Sequence, residues 1–258
     1  MAITIAIANQ KGGVGKTTTT IELGACLKNR GYKVLVVDLE QQFDVTKYME
    51  ADSSKPGSYE VLKQQVDIKK AIQDVQEFDL VPSSEKISAL EGDFEFQKSP
   101  SSILRLKKAL KMVQDDYDFI LIDNNPAKNS LLNMSYMAAD YLIIPSSADK
   151  GSMDQVQVVF DELNELREDN WTSAEVMGVL LTKYENASSY NYCYDELNEL
   201  IKSNDSKAFL MKIRKGVAIT DIKWEGHSAQ MRKKTSNPAI DYRKVADKIL
   251  VTLGEEEE

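Results

Sequence analysis

The sequence predicts an α/β fold, a mostly parallel twisted sheet with helices on both faces. Short, continuous apolar runs alternate with helical patterns along the chain, and this alternation is typical of parallel sheets. The runs lack polar–apolar alternation, so both faces of each strand are expected to be buried. No linker divides the 258 residues, which predicts one domain over residues 1–254 and an acidic tail over 255–258.

The apolar runs predict the strands in chain order. The first run leads directly into a glycine-rich loop, and β-branched residues dominate the second, as is usual in strands. Pro145 is expected to end the fourth strand because proline cannot donate to a sheet ladder. The predicted strands are 3–8, 34–37, 119–122, 141–144 and 176–181, with a further one near 209–213.

Helices are predicted where apolar residues recur every three to four positions. Gly31 is expected to end the first helix at a C′ position, and Ser99-Pro100 to open the second. Residues 39–60 are polar and are expected to be irregular. The predicted helices cover about 16–30, 103–117, 153–163, 192–202 and 239–253.

The composition excludes several kinds of protein. Two cysteines and one histidine cannot build a disulfide framework, a Cys-rich zinc site or a His-cluster metal site, and no Ser-His-Asp hydrolase is expected. No run approaches the roughly 18 apolar residues of a membrane span, and the N-terminus carries no pattern of an export signal. With a net charge of −9, the sequence predicts an acidic protein of the reducing cytoplasm.

A glycine-rich phosphate loop follows the first strand and opens the first helix. Its glycines let the backbone bend tightly and approach phosphate oxygens, while main-chain N–H groups and the helix N-terminus form an anion cradle. Lys16 is expected to reach the β- and γ-phosphates, and the Thr17 hydroxyl to ligate Mg²⁺. Gln10 takes the place of the motif's first glycine. The expected nucleotide-binding residues are Lys11, Gly12, Gly13, Val14, Gly15, Lys16, Thr17 and Thr18.

Two predicted strands end in aspartate. Asp38 follows the strand 34–37, and Asp123 follows the strand 119–122. Because the carboxyl ends of parallel strands form the ligand crevice of an open sheet, both carboxylates are expected beside the phosphate loop. An apolar run that ends in aspartate at this place is the Walker B arrangement.

The loop Lys-Gly-Gly-Val-Gly-Lys-Thr-Thr resembles the deviant Walker A box of the ParA/MinD ATPases. The resemblance implies a P-loop NTPase of the deviant Walker A type, with ATP and Mg²⁺ as cofactors. It also implies an ATP-dependent sandwich homodimer, in which Lys11 contacts the phosphates of the partner's nucleotide. The implied metal residues are Thr17, Asp38 and Asp123, and the implied catalytic residues are Lys11, Lys16, Asp38 and Glu40.

The sequence departs from the family pattern at two places. Glu40 stands where aspartate is usual and Gln41 where proline is usual, while Asn124-Asn125-Pro126 keeps only the proline. Because phosphoryl transfer depends on positioning, the longer side chain at position 40 predicts slow hydrolysis. The alternative is that Glu40 takes no part in catalysis.

The resemblance extends to later strands. Residues 138–145 and 178–184 look like two further strands of the family. Thr182 or Lys183 either contacts the adenine or simply ends its strand. The family's Ile-Pro-Arg turn is present only as residues 212–214, without the proline.

Positive charge is concentrated near the C-terminus although the whole chain is acidic. Residues 202–248 hold 12 Lys+Arg against 5 Asp+Glu. This stretch is either a solvated helical surface or, as ParA-like members without an N-terminal DNA-binding domain imply, a surface for non-specific DNA binding by the ATP dimer. The candidates for contact with DNA phosphates are Arg214, Lys215, Arg232, Lys233 and Lys234.

The resemblance therefore implies an ATPase for plasmid or chromosome partition, cytoplasmic and nucleoid-associated, with a ParB-like centromere-binding partner that stimulates hydrolysis. No membrane partner is expected, because four glutamates follow the last helix and anionic lipids would repel them. Two alternatives stay open: an ATPase that positions a non-DNA protein cargo, and a nucleotide-gated binding protein with very slow hydrolysis. A membrane-surface regulator ranks behind both.

Overall fold

The computed structural model describes residues 1–93, 96 and 101–254. Within this part of the chain, eight strands form one sheet: β1 (Ile3–Ile7), β2 (Val34–Asp38), β3 (Gln73–Asp74), β4 (Asp79–Val81), β5 (Phe119–Asp123), β6 (Tyr141–Ser147), β7 (Glu175–Tyr184) and β8 (Phe209–Arg214). Their order is β3-β4-β2-β5-β1-β6-β7-β8. Neighbouring strands are parallel except β3 and β4, which pair antiparallel. The predicted fold class is therefore confirmed.

Helices connect the strands and cover the sheet. The α-helices are α1 (Lys16–Asn29), α2 (Asp44–Tyr48), α3 (Ser58–Leu62), α4 (Ile68–Ala71), α5 (Ala89–Gly92), α6 (Arg105–Lys111), α7 (Ser130–Ala138), α8 (Lys150–Glu168), α9 (Ser188–Ser203), α10 (Ala218–Glu225), α11 (Ala229–Arg232) and α12 (Asn237–Leu253). Short 3₁₀ turns lie at Glu85–Ser88 and Ser102–Leu104. Over the described ranges, no helix has both the length and the apolar character needed to cross a membrane.

The central strands are buried on both faces. In β2, Leu35 and Val37 belong to one core, and Val34 and Val36 belong to the other. Helices α7 and α8 pack on the first face, and α1 and α12 pack on the second. Apolar side chains are therefore needed at every position of such a strand, which explains why the sequence showed no alternation. The packing also fixes α1 against the sheet, with its first turn at the carboxyl edge.

The prediction that Pro145 ends the fourth strand was wrong, because β6 continues to Ser147. The carbonyl of Ile143 accepts the N–H of Ala8 (3.1 Å), so Ile143 faces β1. Pro145 faces the same side two residues later, beyond the end of β1. The paired residues of β1 and β6 end at Ile7 and Ile143, so a proline is tolerated at this position, and its carbonyl accepts a hydrogen bond from Asn9 Nδ2 (2.8 Å).

The region between β2 and β5 is more regular than its sequence predicted. The stretch expected to be irregular holds α2 and α3, and β3 and β4 extend the sheet with two and three residues. Strands this short leave no periodic signal. The helix predicted over 103–117 ends at Lys111, and the Tyr117 hydroxyl donates to Asp79 (2.6 Å). Its predicted opening at Ser99-Pro100 and the acidic tail 255–258 lie outside the described residues.

Candidate nucleotide site

The phosphate loop connects β1 to α1 at the carboxyl edge of the sheet. Gly13 (φ 75°) and Gly15 (φ 97°) adopt left-handed backbone conformations, which other residues rarely adopt. A β-carbon at Gly12 or Gly13 would meet no atom within 4 Å, so open space lies beside the main chain. The loop therefore has the shape of an anion cradle in front of a helix N-terminus.

Lys16 begins α1 and is 6% exposed. Its Nζ donates to the main-chain carbonyl of Lys11 (3.2 Å). Burial lowers the pKa of Lys16, while the charges of Asp123 and Glu40 act in the opposite direction. A phosphate group would favour the charged form of this buried ammonium.

Two threonine hydroxyls of α1 hold Asp123 at the end of β5. Thr17 Oγ1 donates to one carboxylate oxygen (2.9 Å), and Thr20 Oγ1 donates to the other (3.0 Å). Asp123 is fully buried. This burial, followed by the charge of Asp38, raises the pKa of Asp123 well above its usual range. A divalent cation would reverse that effect, because it favours the ionised carboxylate.

Asp38 ends β2 directly opposite Asp123 in the sheet register. One of its carboxylate oxygens accepts the main-chain N–H of Glu40 (2.9 Å), and the other accepts the N–H (3.0 Å) and the hydroxyl (2.7 Å) of Thr46. Burial raises the pKa of Asp38 to about 7, although these hydrogen bonds lower it. Asp38 therefore fixes the main chain at Glu40 and places a second carboxylate beside Asp123.

Glu40 is buried, yet its Oε2 has no hydrogen-bond partner among the described residues. Burial raises the pKa of Glu40, and the charge of Asp44 raises it further. In the loop after β5, Asn124 Oδ1 and Asn125 Nδ2 are likewise buried without a partner within the described ranges. Because buried polar atoms are normally hydrogen-bonded, this unused capacity at two neighbouring strand ends fits a polar ligand.

These residues fit a nucleotide with Mg²⁺. Thr17, Asp38 and Asp123 supply the hard oxygen donors that Mg²⁺ prefers. Across the described residues, no three His, Cys, Asp or Glu side chains form a metal cluster by themselves. Mg²⁺ does not need one, because it usually keeps water and substrate phosphate among its ligands. The structure thus brings Lys16 and Glu40 together with all three predicted metal residues.

Lys11, by contrast, is engaged outside the phosphate loop. Its ammonium pairs with Asp149, which precedes α8 and also accepts the hydroxyls of Ser147 (2.8 Å) and Ser152 (2.8 Å). Partial burial acts to raise the pKa of Asp149, but hydrogen bonds from Lys11 and the two serines outweigh it and hold that pKa well below its usual range. The two side chains are 37% and 45% exposed, so a stronger anion can displace the carboxylate at small cost.

Two adjoining cavities open beside the loop. One of about 460 Å³ is lined by Lys16 and Glu40. The other, of about 290 Å³, is lined by Ile213 and Tyr242. Both are lined by Thr18, so they lie next to each other at the start of α1. The triphosphate of a nucleotide would suit the more polar lining of the first cavity, and its base would suit the more apolar lining of the second.

The end of β7 supports the phosphate loop. Thr182 Oγ1 donates to the carbonyls of Val14 (2.8 Å) and Ser146 (3.1 Å), and Lys183 Nζ donates to the carbonyl of Gly13 (2.7 Å). These contacts favour a structural role for this strand end.

The five basic residues predicted to contact DNA differ in their surroundings. The guanidinium of Arg214 donates to the buried Asp241 (2.8 and 2.6 Å), and Lys215 Nζ pairs with Glu185 (2.7 Å). A depression of about 560 Å³ shares Lys215 with the smaller nucleotide cavity. The other candidates line the same depression, are exposed and are here named the basic segment: Arg232, Lys233 and Lys234.

Sequence reasoning missed three residues of the site: Thr20, Thr46 and Asp149. Thr20 could have been found, because it lies three residues after Thr17 and therefore on the same helix face. Thr46 and Asp149 meet the site only through tertiary packing, and no local spacing marks them.

Comparison with known proteins places the chain in a family. A profile of the AAA domain family matches residues 2–176. The sporulation initiation inhibitor protein Soj of Bacillus subtilis is 28% identical over 249 residues, which are 95% of this chain and 97% of Soj. The maintenance of carboxysome distribution protein A of Synechococcus elongatus is 30% identical over 181 residues, 69% of this chain and 71% of that protein.

Solved structures show the same architecture with nucleotide bound. A plasmid partition protein from Borrelia burgdorferi bound to AMPPNP is 26% identical, with a TM-score of 0.78 over 97% of this chain and 99% of its own. Cobyrinic acid a,c-diamide synthase from Mycobacterium smegmatis with ADP and magnesium is 25% identical, with a TM-score of 0.83 over 98% and 96%.

A parallel sheet, a glycine loop between β1 and α1, and aspartates at two neighbouring strand ends define a P-loop nucleotide-binding protein. The structural neighbours and the sequence relatives agree with that class. The chain belongs to the AAA domain family and, within it, to the ParA/Soj-like P-loop ATPases.

Proposed function

We propose that the chain is a partition ATPase that forms an ATP-dependent sandwich homodimer and binds DNA without sequence specificity. The observation that carries the proposal is the basic segment, which lines a depression that adjoins the smaller nucleotide cavity. The similarity to a plasmid partition protein supports it. A ParB-like partner would stimulate hydrolysis, and the protein would act at the nucleoid in the cytoplasm. Residues 1–254 would work as one domain, because one sheet joins their halves.

ATP with Mg²⁺ is the ligand of the site. Neighbouring structures contain AMPPNP or ADP with magnesium, and the donor atoms described above fit both groups. In this proposal Lys16 binds phosphate oxygens, Thr17 and Asp123 hold the metal, and Asp38 with Glu40 places the metal shell and the attacking water. Bound Mg²⁺ neutralises charge on the phosphates. Main-chain N–H groups of the loop complete the cradle.

Lys11 would act across the dimer interface. In the single chain its ammonium is held by one carboxylate, that of Asp149. The triphosphate of a partner offers more negative charge than one carboxylate, so dimerisation would replace a weak ion pair with a stronger one. ATP carries the additional γ-phosphate, so the exchange favours an ATP-bound dimer over an ADP-bound one. Nucleotide would thereby shift the monomer–dimer equilibrium.

Binding to random-sequence duplex DNA tests the proposal. We expect fluorescence anisotropy to show binding with ATP that is weaker with ADP and falls steeply with salt, because each phosphate contact releases counterions. Alanine at all three positions of the basic segment should weaken this binding at least about tenfold and flatten its salt dependence. The matched control replaces Lys107, Lys108 and Lys111, which are exposed on α6. Absence of binding in every nucleotide state would contradict a DNA-partition role.

Slow hydrolysis is proposed because of Glu40. Glu40→Asp should raise the steady-state rate of ATP hydrolysis several-fold, since the shorter side chain has fewer rotamers to order when it places the water. A phosphate-release assay measures the rate, and Glu168→Asp, at an exposed position of α8, is the matched control. An unchanged rate would mean that Glu40 is a bystander.

A second candidate function is the positioning of a protein assembly. The observation that favours it is the 30% identity to the maintenance of carboxysome distribution protein A. ATP-dependent DNA binding suits both functions, so the cargo must decide between them. A neighbouring gene for a centromere-binding protein, with stimulation of hydrolysis by its product, would support partition. A nucleotide-gated binding protein with negligible turnover is the remaining alternative, and a multiple-turnover assay excludes or supports it.

A further inference from the structure

The basic segment follows a short stretch of chain that is buried. The residues just before it, Ser228, Ala229 and Gln230, are at most 1% exposed. Beneath them lie two carboxylates, those of Glu22 in the middle of α1 and of Glu77 before β4, which are 0% and 7% exposed. Acidic side chains are seldom buried this deeply, so these two need an explanation.

Both carboxylates accept hydrogen bonds from the start of α11. Glu22 accepts the main-chain N–H of Ala229 (2.6 Å) on one oxygen and Gln230 Nε2 (2.8 Å) on the other. Glu77 accepts the main-chain N–H (2.9 Å) and the hydroxyl of Ser228. Three consecutive residues are therefore tied to elements far away in the sequence.

A clamp from α12 completes the anchoring. Arg243 Nη1 donates to Gln230 Oε1 (3.0 Å), and its Nη2 donates to the carbonyl of Lys234 (2.8 Å). Gln230 therefore links α1 to α12 through Glu22 on one side and Arg243 on the other. The main chain of the basic segment is held at both ends while its cationic side chains remain exposed.

Glu22 is costly to bury. Among the described residues, no Lys or Arg forms an ion pair with it. Burial raises the pKa of Glu22 to about 7, against the hydrogen bonds from Ala229 and Gln230 that lower it. An apolar residue would avoid this cost. The carboxylate of Glu22 instead provides two acceptor oxygens, one for Ala229 and one for Gln230.

We propose that Glu22 is a positioning residue for DNA binding, because it ties the basic segment to the helix that begins at the phosphate loop. Glu22 follows Lys16 by six residues, about 9 Å along α1. The segment therefore moves with the nucleotide site as one body, and DNA phosphates meet cations whose main chain is already ordered. Such preorganisation reduces the entropy lost on binding. The inference rests on the DNA binding proposed above.

The substitution Glu22→Gln distinguishes a positioning role of Glu22 from a simple effect of its negative charge on DNA binding. Glutamine has one acceptor oxygen where two donors each need one, so a hydrogen bond to the segment is lost. Loss of a negative charge alone would strengthen binding to DNA, whereas loss of position would weaken it. The matched control is Glu225→Gln, which removes the same charge from an exposed position on α10, close in sequence to the segment.

With ATP at pH 8, where Glu22 is mainly ionised, we expect about tenfold weaker anisotropy binding of a random-sequence duplex by Glu22→Gln than by the wild type. Glu225→Gln should bind equally or more tightly. Amide hydrogen exchange over residues 228–234 should be faster only in Glu22→Gln. ATP affinity, measured on the same samples, reports folding. If Glu22→Gln does not bind ATP, Gln230→Leu replaces it in the test; this variant removes the hydrogen bond to Glu22 together with those to Arg243 and to the carbonyl of Ala239.

Two negative outcomes are distinct. Equal DNA affinity and equal exchange in the wild type and Glu22→Gln would overturn the positioning role and leave DNA binding intact. No DNA binding by the wild type would overturn the proposed function, and the positioning role would fall with it.

Discussion

Lys11→Ala is expected to weaken ATP-dependent dimerisation by about a hundredfold or more, the usual effect of deleting one side of a buried charge contact. The monomer should still bind ATP, because Lys16 and the glycine loop remain. Light scattering at increasing ATP concentration measures dimerisation, and equilibrium binding of a fluorescent ATP analogue measures the monomer's affinity.

Two variants control for charge and for the ion pair with Asp149. Lys28→Ala removes an exposed lysine from the far end of α1 and should dimerise as the wild type does. Asp149→Asn releases Lys11 but can still cap α8, so it should dimerise at least as readily as the wild type. A normal dimer in Lys11→Ala would show that this lysine does not act across an interface.

Asp38→Asn is expected to lower the rate of ATP hydrolysis by about a hundredfold, as for removal of a preorganised polar group at a reacting centre. One carboxylate oxygen orders the main chain at Glu40, and the other accepts two hydrogen bonds from Thr46. An amide presents an NH₂ group to one of these sets of donors, so the loop that carries Glu40 must shift. The rate of single-turnover hydrolysis should fall sharply, while the equilibrium affinity for ATP should change little.

The control for Asp38→Asn is Asp44→Asn. Asp44 lines the cavity that Lys16 and Glu40 also line, but it does not end a strand, so its replacement should have a much smaller effect. Equal rates in Asp38→Asn and the wild type would exclude a role for Asp38 in placing Glu40 or the metal shell.

Much of the fold was predictable because its signals are local. The β-branched run before Asp38 is buried on both faces in the structure, as its continuous apolar character indicated. The prediction of an element failed where its sequence signal was too short, or where the outcome depended on residues far away in the chain. Strand β4 has only three residues, and Pro145 continues its strand because the neighbouring strand has already ended.

The same distinction between local and tertiary signals applies to the residues of the candidate site. The sequence alone predicted Lys16, Thr17, Asp38 and Asp123 as site residues, because a phosphate loop and a strand end are each contiguous in the chain. It also marked the basic segment by charge, but it could not show that the guanidinium of Arg214 is held by two hydrogen bonds to the buried Asp241, whereas the only ion pair of the basic segment among the described residues is the 3.9 Å contact of Lys233 with Asp221. Exposure and pairing depend on which side chains lie nearby in space, and residue type does not report this.

By itself, then, the sequence determined the fold class, the phosphate cradle and the carboxylates around it, because hydrophobic pattern and motif spacing are properties of neighbouring residues. Only the tertiary structure decided how those parts are held. Lys11 meets Asp149 across 138 positions, and Glu22 meets Ala229 across 207. Such contacts form only when helices and loops pack on the sheet, and the free energy that selects them comes from burial of the whole core.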